Sequence, residues 1–183
     1  GVELGTEEEW NSSKSLIWQL LENEDNRQLN QYIKDINRFY MEQRPLWEID
    51  FEWQGFEWLV PDDNHNNVVV FLRKDKDDNQ LLCAINFSPN TYEDYRFGCP
   101  PVKEFVEVFN SDDISYGGTG VKNTEPCKVS WKPSHGKESS VSIRIPPLGA
   151  VFMVGQGKLR PKPQRKKAAD PEKENTGLFF FKG

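Results

Sequence analysis

The sequence predicts a mainly β protein, an antiparallel β-sandwich preceded by an N-terminal helical segment. Three observations carry this prediction. Apolar residues recur at spacings of three and four over residues 26–43, which is typical of one amphipathic helix. After Pro45, short apolar runs alternate with clusters of Gly, Pro, Asn and Asp, which is typical of antiparallel strands joined by turns. Val141, Ile143 and Ile145 alternate with polar residues, as expected for a strand with one buried face.

The helix predicted over residues 26–43 has one apolar side. Asn23 or Asp25 can cap its start, and Pro45 disfavours helical backbone at Arg44, so the helix should end there. Its apolar positions are Leu29, Tyr32, Ile33, Ile36, Phe39 and Tyr40. We expect four of these side chains either to pack onto the sandwich or to mediate self-association, because an exposed apolar stripe needs a partner. These four are Leu29, Ile33, Ile36 and Tyr40.

The strands predicted after the helix are short. A first strand over residues 56–60 is followed by a turn-rich stretch over 61–67. Apolar runs over 68–73 and 81–87 flank the polar connector 75–79, and this arrangement predicts a β-hairpin. The remaining candidate strands are residues 94–97, 103–109, 128–131, 140–145 and 150–154.

Composition and charge disfavour several classes of function. The 183 residues carry a formal net charge of -6, and binding to a phosphate backbone needs many Lys and Arg contacts. The apolar runs are too short to span a bilayer, and the first residues lack the basic and apolar regions of a secretory signal. The three cysteines have no CxxC spacing, which predicts neither a disulfide framework nor a zinc site and suits the cytosol. We therefore expect a cytoplasmic protein with no nucleic-acid, membrane, metal or cofactor partner.

No catalytic motif is found in the sequence. Two pairs of adjacent aspartates occur at 62–63 and 112–113. Neighbours in an extended chain point to opposite faces, whereas the two carboxyls of a retaining glycosidase face each other. Both pairs are therefore interpreted as turn residues. His65 and His135 are the only histidines, and neither has neighbours that would complete a metal site. We predict no catalytic residue and no metal ligand in this chain.

Six stretches of the sequence carry a family resemblance. They read GVELGTEEEWNSSKSLIWQLL, QLNQYIKDINRFYMEQRPLWEIDF, FEWQGFEWLVPDD, AINFSPNTYEDYRFG, FVEVFNSDDISYGGTGVKN and SHGKESSVSIRIPPLGAVFMV. In this order, over roughly residues 1–154, they resemble the C-terminal third of bacterial glycogen (1,4-alpha-glucan) branching enzymes, in the alpha-amylase superfamily. One departure is Ile17, which stands where the family often has Asp within SLDW.

The resemblance implies a domain organisation. The family has an N-terminal β module, a catalytic (β/α)8 barrel and a C-terminal β-sandwich. Residues 1–45 would then be the end of the barrel, a loop plus its last helix, and residues 46–155 would be a sandwich of the alpha-amylase C-terminal type. Residues 156–183 are predicted to be a disordered tail, because Lys, Pro and Gly dominate its first part and few side chains there can be buried.

The resemblance also implies a reaction and partners. The parent enzyme would cleave an α-1,4 glucan chain and transfer the piece to a 6-hydroxyl, which forms an α-1,6 branch in glycogen. The family's aspartate nucleophile, glutamate acid/base and supporting aspartate would precede residue 1, so this chain alone is expected to be inactive. The implied partners are an α-glucan, either glycogen or linear α-1,4 chains, and the parent enzyme's barrel.

Two aromatic residues are the candidate substrate contacts, since aromatic rings stack on sugar faces. Trp10 would follow the eighth barrel strand in a polar context, and Tyr116 opens the glycine-rich stretch 116–122. The alternative for both is that they simply pack between domains.

Two other functions are compatible with the sequence. One is a stand-alone carbohydrate-binding module, which would need an exposed platform among Trp53, Trp58 and Trp131. Because Phe56 and Trp58 alternate with Glu57, Trp58 is predicted to point into the core. The other is a scaffold or interaction domain, for which only the basic tail offers a hint.

Overall fold

The elements follow the predicted order along the chain. The structure is a computed structural model and describes residues 1–9 and 11–161. Within these residues there is one α-helix, α1 (Glu24–Glu42), and eight strands. The strands are β1 (Phe56–Asp63), β2 (Val68–Lys74), β3 (Gln80–Asn86), β4 (Tyr92–Cys99), β5 (Val102–Asn110), β6 (Cys127–Lys128), β7 (Ser139–Ile145) and β8 (Ala150–Lys158).

Helix α1 begins and ends where local chemistry places its caps. The side chain of Asn23 accepts a hydrogen bond from the backbone N–H of Asp25, at 2.9 Å, so Asn23 rather than Asp25 is the cap. Glu24 and Asp25 lie in the first turn, where carboxylates interact favourably with the helix dipole. The helix ends at Glu42, two residues before the Arg44–Leu46 turn that contains Pro45.

The strands form two antiparallel sheets. The larger has the order β1-β2-β3-β8-β5-β6, and the smaller consists of β4 and β7. Every strand pair is antiparallel, and β2 and β3 form the predicted hairpin, with Lys74 opposite Gln80. The predicted antiparallel β-sandwich with an N-terminal helix is confirmed.

The main core lies between the two sheets. Val141, Ile143 and Ile145 of β7 are buried as the alternating pattern predicts, and they pack in one cluster with Phe97 and Met153. Their neighbours in this cluster come from β1, β2, β3, β5 and β8. Burying one such side chain contributes about 1.5–3 kcal/mol, so this cluster is the main source of stability for the sandwich.

A second cluster fixes α1 against the outer face of the larger sheet. Phe39 is buried together with Leu81 and Cys83, and partly buried rings from β2, β5 and β8 pack around them. The Phe39 ring lies 4.9 Å from the Phe109 ring and 5.3 Å from the Phe152 ring, measured between centroids. The helix is therefore part of the same folded unit as the sandwich.

The helix meets the sheet through different residues from the four that were predicted. Tyr32 and Phe39 face the sheet, and Leu29 lies against Gly5 of the N-terminal segment. Ile33 and Ile36 are half-buried, and Tyr40 is 48% exposed. Of the two predicted outcomes, packing onto the sandwich is wrong for Tyr40, because the sheet occupies the face of the helix that includes positions 32 and 39. The other outcome, self-association through this surface, stays a prediction.

The predicted inward orientation of Trp58 is also wrong. Trp58 is 52% exposed, whereas Leu59 and Val60 are both buried. The pairing of β1 with β2 shifts register between Trp58 and Val60. Such an irregularity breaks the alternation of inward and outward side chains. The Trp58 ring consequently lies on the outer face of the sheet, 4.9 Å from the Phe56 ring and 5.8 Å from the Phe71 ring.

Most strand limits differ from the predicted ones by one or more residues. Strand β1 continues to Asp63, into the stretch predicted to be turn-rich, and β4 extends two residues beyond both predicted ends. Strand β8 continues to Lys158, which pairs with Val102 of β5, so regular structure extends beyond the predicted boundary at residue 155. Strand β6 is limited to Cys127 and Lys128. Residues 162–183 of the predicted tail lie outside the described residues.

Candidate functional site

The glycine-rich loop after β5 is ordered by one buried carboxylate. Asp112 accepts hydrogen bonds from the backbone N–H groups of Thr119, at 2.8 Å, and Val121, at 3.0 Å. It also accepts one from the Thr119 hydroxyl, at 2.6 Å. A Cβ at Gly118 would lie 2.2 Å from the carbonyl oxygen of Asp112, so only glycine fits there. The aspartate pair at 112–113 thus builds a loop, as its interpretation as turn residues requires.

Tyr116 projects from this loop onto helix α1. Its ring lies 5.3 Å from the Tyr32 ring and 6.0 Å from the Phe109 ring. Its hydroxyl donates a hydrogen bond to Oδ2 of Asp35, at 3.1 Å. Burial, followed by the contact with the Asp35 carboxylate, raises the pKa of Tyr116 to about 12. The ring therefore joins the helix to the sandwich, as in the packing alternative, and the prediction that it contacts glucan stays a prediction.

A groove runs beside Tyr116, between helix α1 and the loops of the sandwich. We call it the helix–loop groove, and its volume is about 440 Å³. Its walls include Gln28, Leu29 and Tyr32 from the helix. The opposite wall includes Tyr116 and Leu148 from the sandwich loops. The groove lies where the segment predicted to belong to the barrel meets the segment predicted to be the C-terminal domain.

A second cavity, of about 470 Å³, is formed within residues 1–17. Its lining includes Ile17 and the ion pair between Lys14 and Glu8, at 3.0 Å. Trp10, the first candidate substrate contact, lies outside the described residues. Its role therefore stays a prediction.

Several exposed aromatic side chains lie in the connection between α1 and β1 and at the start of β1. Phe51 is fully exposed and Trp53 is 83% exposed, and Trp47 and Trp58 are each about half exposed. Trp53 and Trp58 were candidates from the sequence, whereas Phe51 and Trp47 were not, although the run WEIDFEW shows alternating apolar and acidic residues. Trp131 is different, because its Nε1 donates to the carbonyl oxygen of Arg160, at 2.7 Å, and its ring is half-buried.

The aspartate pair at 62–63 ends strand β1, so these residues precede the turn in which they were predicted to lie, and Asp63 has structural partners. Asp63 accepts hydrogen bonds from the backbone N–H of Asn66, at 3.1 Å, and from the Tyr95 hydroxyl, at 2.6 Å. It therefore closes the turn between β1 and β2.

In the part of the chain that the structure describes, no three His, Cys, Asp or Glu side chains are placed to hold a metal ion. No helix among residues 1–9 and 11–161 has the length and apolar character needed to cross a membrane.

Comparisons with known proteins identify the family of the sandwich. Residues 58–156 match the family described as "Alpha amylase, C-terminal all-beta domain". The chain is 40% identical over 153 residues to the 1,4-alpha-glucan branching enzyme GlgB of Halothermothrix orenii, a match covering 83% of this chain and 24% of that enzyme. It is 38% identical over 146 residues to the enzyme of the same name from Desulfitobacterium hafniense, covering 79% of this chain and 23% of that enzyme. The chain thus spans about a quarter of the length of the curated relatives it matches.

Among solved structures, one similar chain is the catalytic module of SpuA, a multi-modular glycogen-degrading pneumococcal virulence factor, in complex with an inhibitor. It shares 12% sequence identity with this chain, with a TM-score of 0.45, over 76% of this chain and 20% of that chain. The family match covers more than half of the chain, and the resemblance to branching enzymes is confirmed by the two relatives. The chain therefore belongs to the family of alpha-amylase C-terminal all-beta domains.

Proposed function

We propose that this chain is the C-terminal, non-catalytic part of a 1,4-alpha-glucan branching enzyme, a glycosyltransferase that forms α-1,6 branches in glycogen. The observation that carries the proposal is the 40% identity to a branching enzyme over 83% of this chain. The catalytic carboxylates would lie in the three-quarters of such an enzyme that this chain does not match. In this proposal residues 1–45 complete the barrel and residues 46–155 form the C-terminal domain, in the cytosol.

The contacts of α1 support a bracing role for the sandwich. Asn26 Nδ2 donates to the carbonyl oxygen of Leu4, at 2.7 Å, and Asn30 Nδ2 donates to that of Glu3, at 3.0 Å. These bonds tie the N-terminal segment to the helix, and Phe39 ties the helix to the sheet. If the N-terminal segment follows the last barrel strand, the sandwich holds that strand and its helix in place.

Glucan contact is the second part of the proposal. Active residues of barrel enzymes lie at the C-terminal ends of the strands, and the segment with Trp10 would follow the last strand. The loop that carries Tyr116 reaches the N-terminal half of α1, because a Cβ at Gly117 would lie 2.8 Å from Oε1 of Gln28 and the Tyr116 ring meets Tyr32. Both residues would then be near the end of the barrel where substrate binds, and both are proposed to contact an α-1,4 glucan.

The test combines binding with activity. Binding of glycogen and of maltoheptaose to the 183-residue chain is measured by calorimetry, and a branching assay is run on the same sample. The chain is also joined to the part of the Halothermothrix orenii enzyme that precedes the match, in place of that enzyme's own matching region. We expect branching by the chimera and none by the chain alone. The proposal is wrong if the chimera folds but does not branch glucan. It is also wrong if the isolated chain branches glucan.

A specific observation also favours the carbohydrate-binding alternative. Trp53 is 83% exposed and lies near the fully exposed Phe51, and an exposed ring can stack on a sugar. If this alternative holds, Trp53→Ala abolishes glycogen binding by the isolated chain, whereas Trp131→Ala, a change at a half-buried ring, does not. If instead neither substitution alters binding, this alternative is wrong.

A further inference from the structure

A polar groove lies on the smaller sheet, away from the glycine-rich loop. We call it the β4 groove. Its lining comprises Asp63 and Asn66 at the turn between β1 and β2, residues 91–96 at the start of β4, and His135 in the loop before β7. Its volume is about 500 Å³, within the range of about 300–1,000 Å³ that is typical of sites for small molecules.

A register shift in β4 places two tyrosine rings on this groove. Residues three positions apart on a regular strand point to opposite faces, so Tyr92 and Tyr95 would then not share a side. The pairing of β4 with β7 shifts between these two residues. Both tyrosines consequently line the groove, and their ring centroids are 5.7 Å apart. Irregularities of this kind often re-aim a side chain beside a functional site.

Hydrogen bonds hold both rings in place without a ligand. The Tyr92 hydroxyl donates to the carbonyl oxygen of Asn66, at 2.7 Å, and the Tyr95 hydroxyl donates to Oδ2 of Asp63, at 2.6 Å. Asn66 Nδ2 donates to the same carboxylate oxygen, at 2.7 Å. The turn and the strand thus form one network, and a preformed site loses little conformational entropy when it binds a ligand.

Two side chains offer further hydrogen-bonding groups to a ligand in the groove. Nδ1 of His135 is hydrogen-bonded to the Ser134 hydroxyl, at 2.8 Å, which orients the ring and leaves Nε2 without a partner among the described residues. The backbone of His135 has a φ of 47°, and strained backbone of this kind clusters at binding sites. Arg96 donates to Ser140 and to Pro133, and its guanidinium has further N–H donors.

The chemistry of this lining fits a neutral ligand with many hydroxyl groups. Three carboxylates line the groove, those of Asp63, Glu93 and Asp94, together with the guanidinium of Arg96. The excess of negative charge disfavours phosphates and other anions. Tyrosine rings can pack on the faces of sugars, and carboxylate, imidazole and guanidinium groups can exchange hydrogen bonds with sugar hydroxyls.

The position of the groove keeps it apart from the other candidate sites. Helix α1 packs on the outer face of the larger sheet, whereas β4 belongs to the smaller sheet. A barrel that includes α1 would therefore lie on the far side of the sandwich from β4. Trp53 precedes the start of β1, and the groove lies where β1 ends, at Asp63.

We propose that the β4 groove is a binding site for a stretch of an α-1,4 glucan chain, with Tyr92 and His135 as its principal contacts. The identity of the sugar rests on the proposed function, whereas the site itself is formed within this chain. Such a site would hold a glucan on the sandwich while the barrel acts on another part of the same molecule.

The test locates the bound sugar by NMR. The isotope-labelled 183-residue chain is titrated with maltoheptaose, and the backbone amide signals are followed. We expect saturable shifts at residues 91–96 and 134–136. Trp53→Ala should leave these shifts unchanged, because Trp53 lies beyond the opposite end of β1.

A substitution at His135 tests its contact with the sugar. His135→Asn removes the imidazole and keeps a residue that tolerates a left-handed backbone. It should raise the Kd obtained from these shifts by about 2- to 12-fold, the range for one lost hydrogen bond. Asp78→Asn is the matched control, because Asp78 is exposed and has a φ of 58° in the turn between β2 and β3. It should leave the Kd unchanged.

Several results would overturn the inference. If maltoheptaose shifts no signal at residues 91–96 or 134–136, the groove is not a glucan site, and branching by the chimera described above would still support the proposed function. If inorganic phosphate shifts these signals and maltoheptaose does not, the groove binds anions. A Kd that is the same in His135→Asn and in the parent removes His135 as a contact. If the shifts occur but the folded chimera does not branch glucan, the groove stands as a sugar site and the proposed function is wrong.

Discussion

Replacing Phe39 by alanine should separate helix α1 from the sandwich. Phe39 is only 7% exposed, and its ring stacks on Phe109 and meets Phe152 edge-on. Truncating a buried phenylalanine costs about 3–5 kcal/mol. Each aromatic contact contributes about 0.5–1.5 kcal/mol beyond the area it buries, so two such contacts favour the upper part of that range. For a domain of this size the loss corresponds to a fall in Tm of about 6–20 °C.

The loss of stability in Phe39→Ala is measured by thermal and urea unfolding. Circular dichroism at 222 nm and tryptophan fluorescence are recorded together in both experiments. Met41→Ala is the matched control, because Met41 is on the same helix and is 74% exposed. Met41→Ala should change the free energy of unfolding by no more than about 0.5 kcal/mol. If Phe39→Ala lowers the free energy of unfolding by no more than Met41→Ala does, then α1 does not depend on the sheet and the bracing role proposed for the sandwich is wrong.

Three further predictions concern the glycine-rich loop. Asp112→Ala leaves the amides of Thr119 and Val121 without their acceptor, so we expect a loss of about 1–3 kcal/mol and faster amide exchange across the loop. Tyr116→Phe keeps the ring contacts but removes the bond to Asp35. It should cost about 0.5–1.5 kcal/mol in urea unfolding, and Tyr116→Leu should cost more.

The third prediction concerns the pH dependence of stability. The Lys122 ammonium lowers the pKa of Asp113 to about 2. A lowered carboxylate pKa stabilises the fold above the unfolded value of about 3.9, and this contribution is lost as the pH falls towards 2. Because both groups are partly exposed, it should stay below about 1 kcal/mol. Tm measured from pH 5 to pH 2 should fall more steeply in the parent than in Asp113→Asn, and parallel profiles would contradict the assignment.

Much of the fold could be predicted from short stretches of sequence. The start of α1 is set by the cap at Asn23, and its end is set by Pro45, three residues after Glu42. Both residues were named from the sequence as the signals for these limits. The β2–β3 hairpin was predicted because two apolar runs flank a polar connector. Val141 and Ile143 alternate with polar residues, and this pattern predicted the buried face of β7 correctly, since a regular strand has a period of two residues.

Errors arose where a strand or a helix face departs from regular geometry. Trp58 precedes a register shift in β1, and no local signal in the sequence marks that shift. The helix has a broad apolar surface, and its period alone does not show that Phe39 is buried whereas Tyr40 is exposed. The hydrogen bonds that order the glycine-rich loop were not predicted, because they come from Asp112 and Asp113, which were interpreted only as turn residues.

By itself, the sequence determined the kinds of element, their order, the antiparallel class of the sheets and the resemblance to branching enzymes, because these follow from local periodicity, turn chemistry and colinear motifs. Only the tertiary structure decided which elements meet. The bond from Tyr116 to Asp35 joins residues 81 positions apart, and the helix–loop groove is built from the helix and two separate loops. Such contacts depend on how the whole chain packs, and short-range propensities carry no information about distant partners.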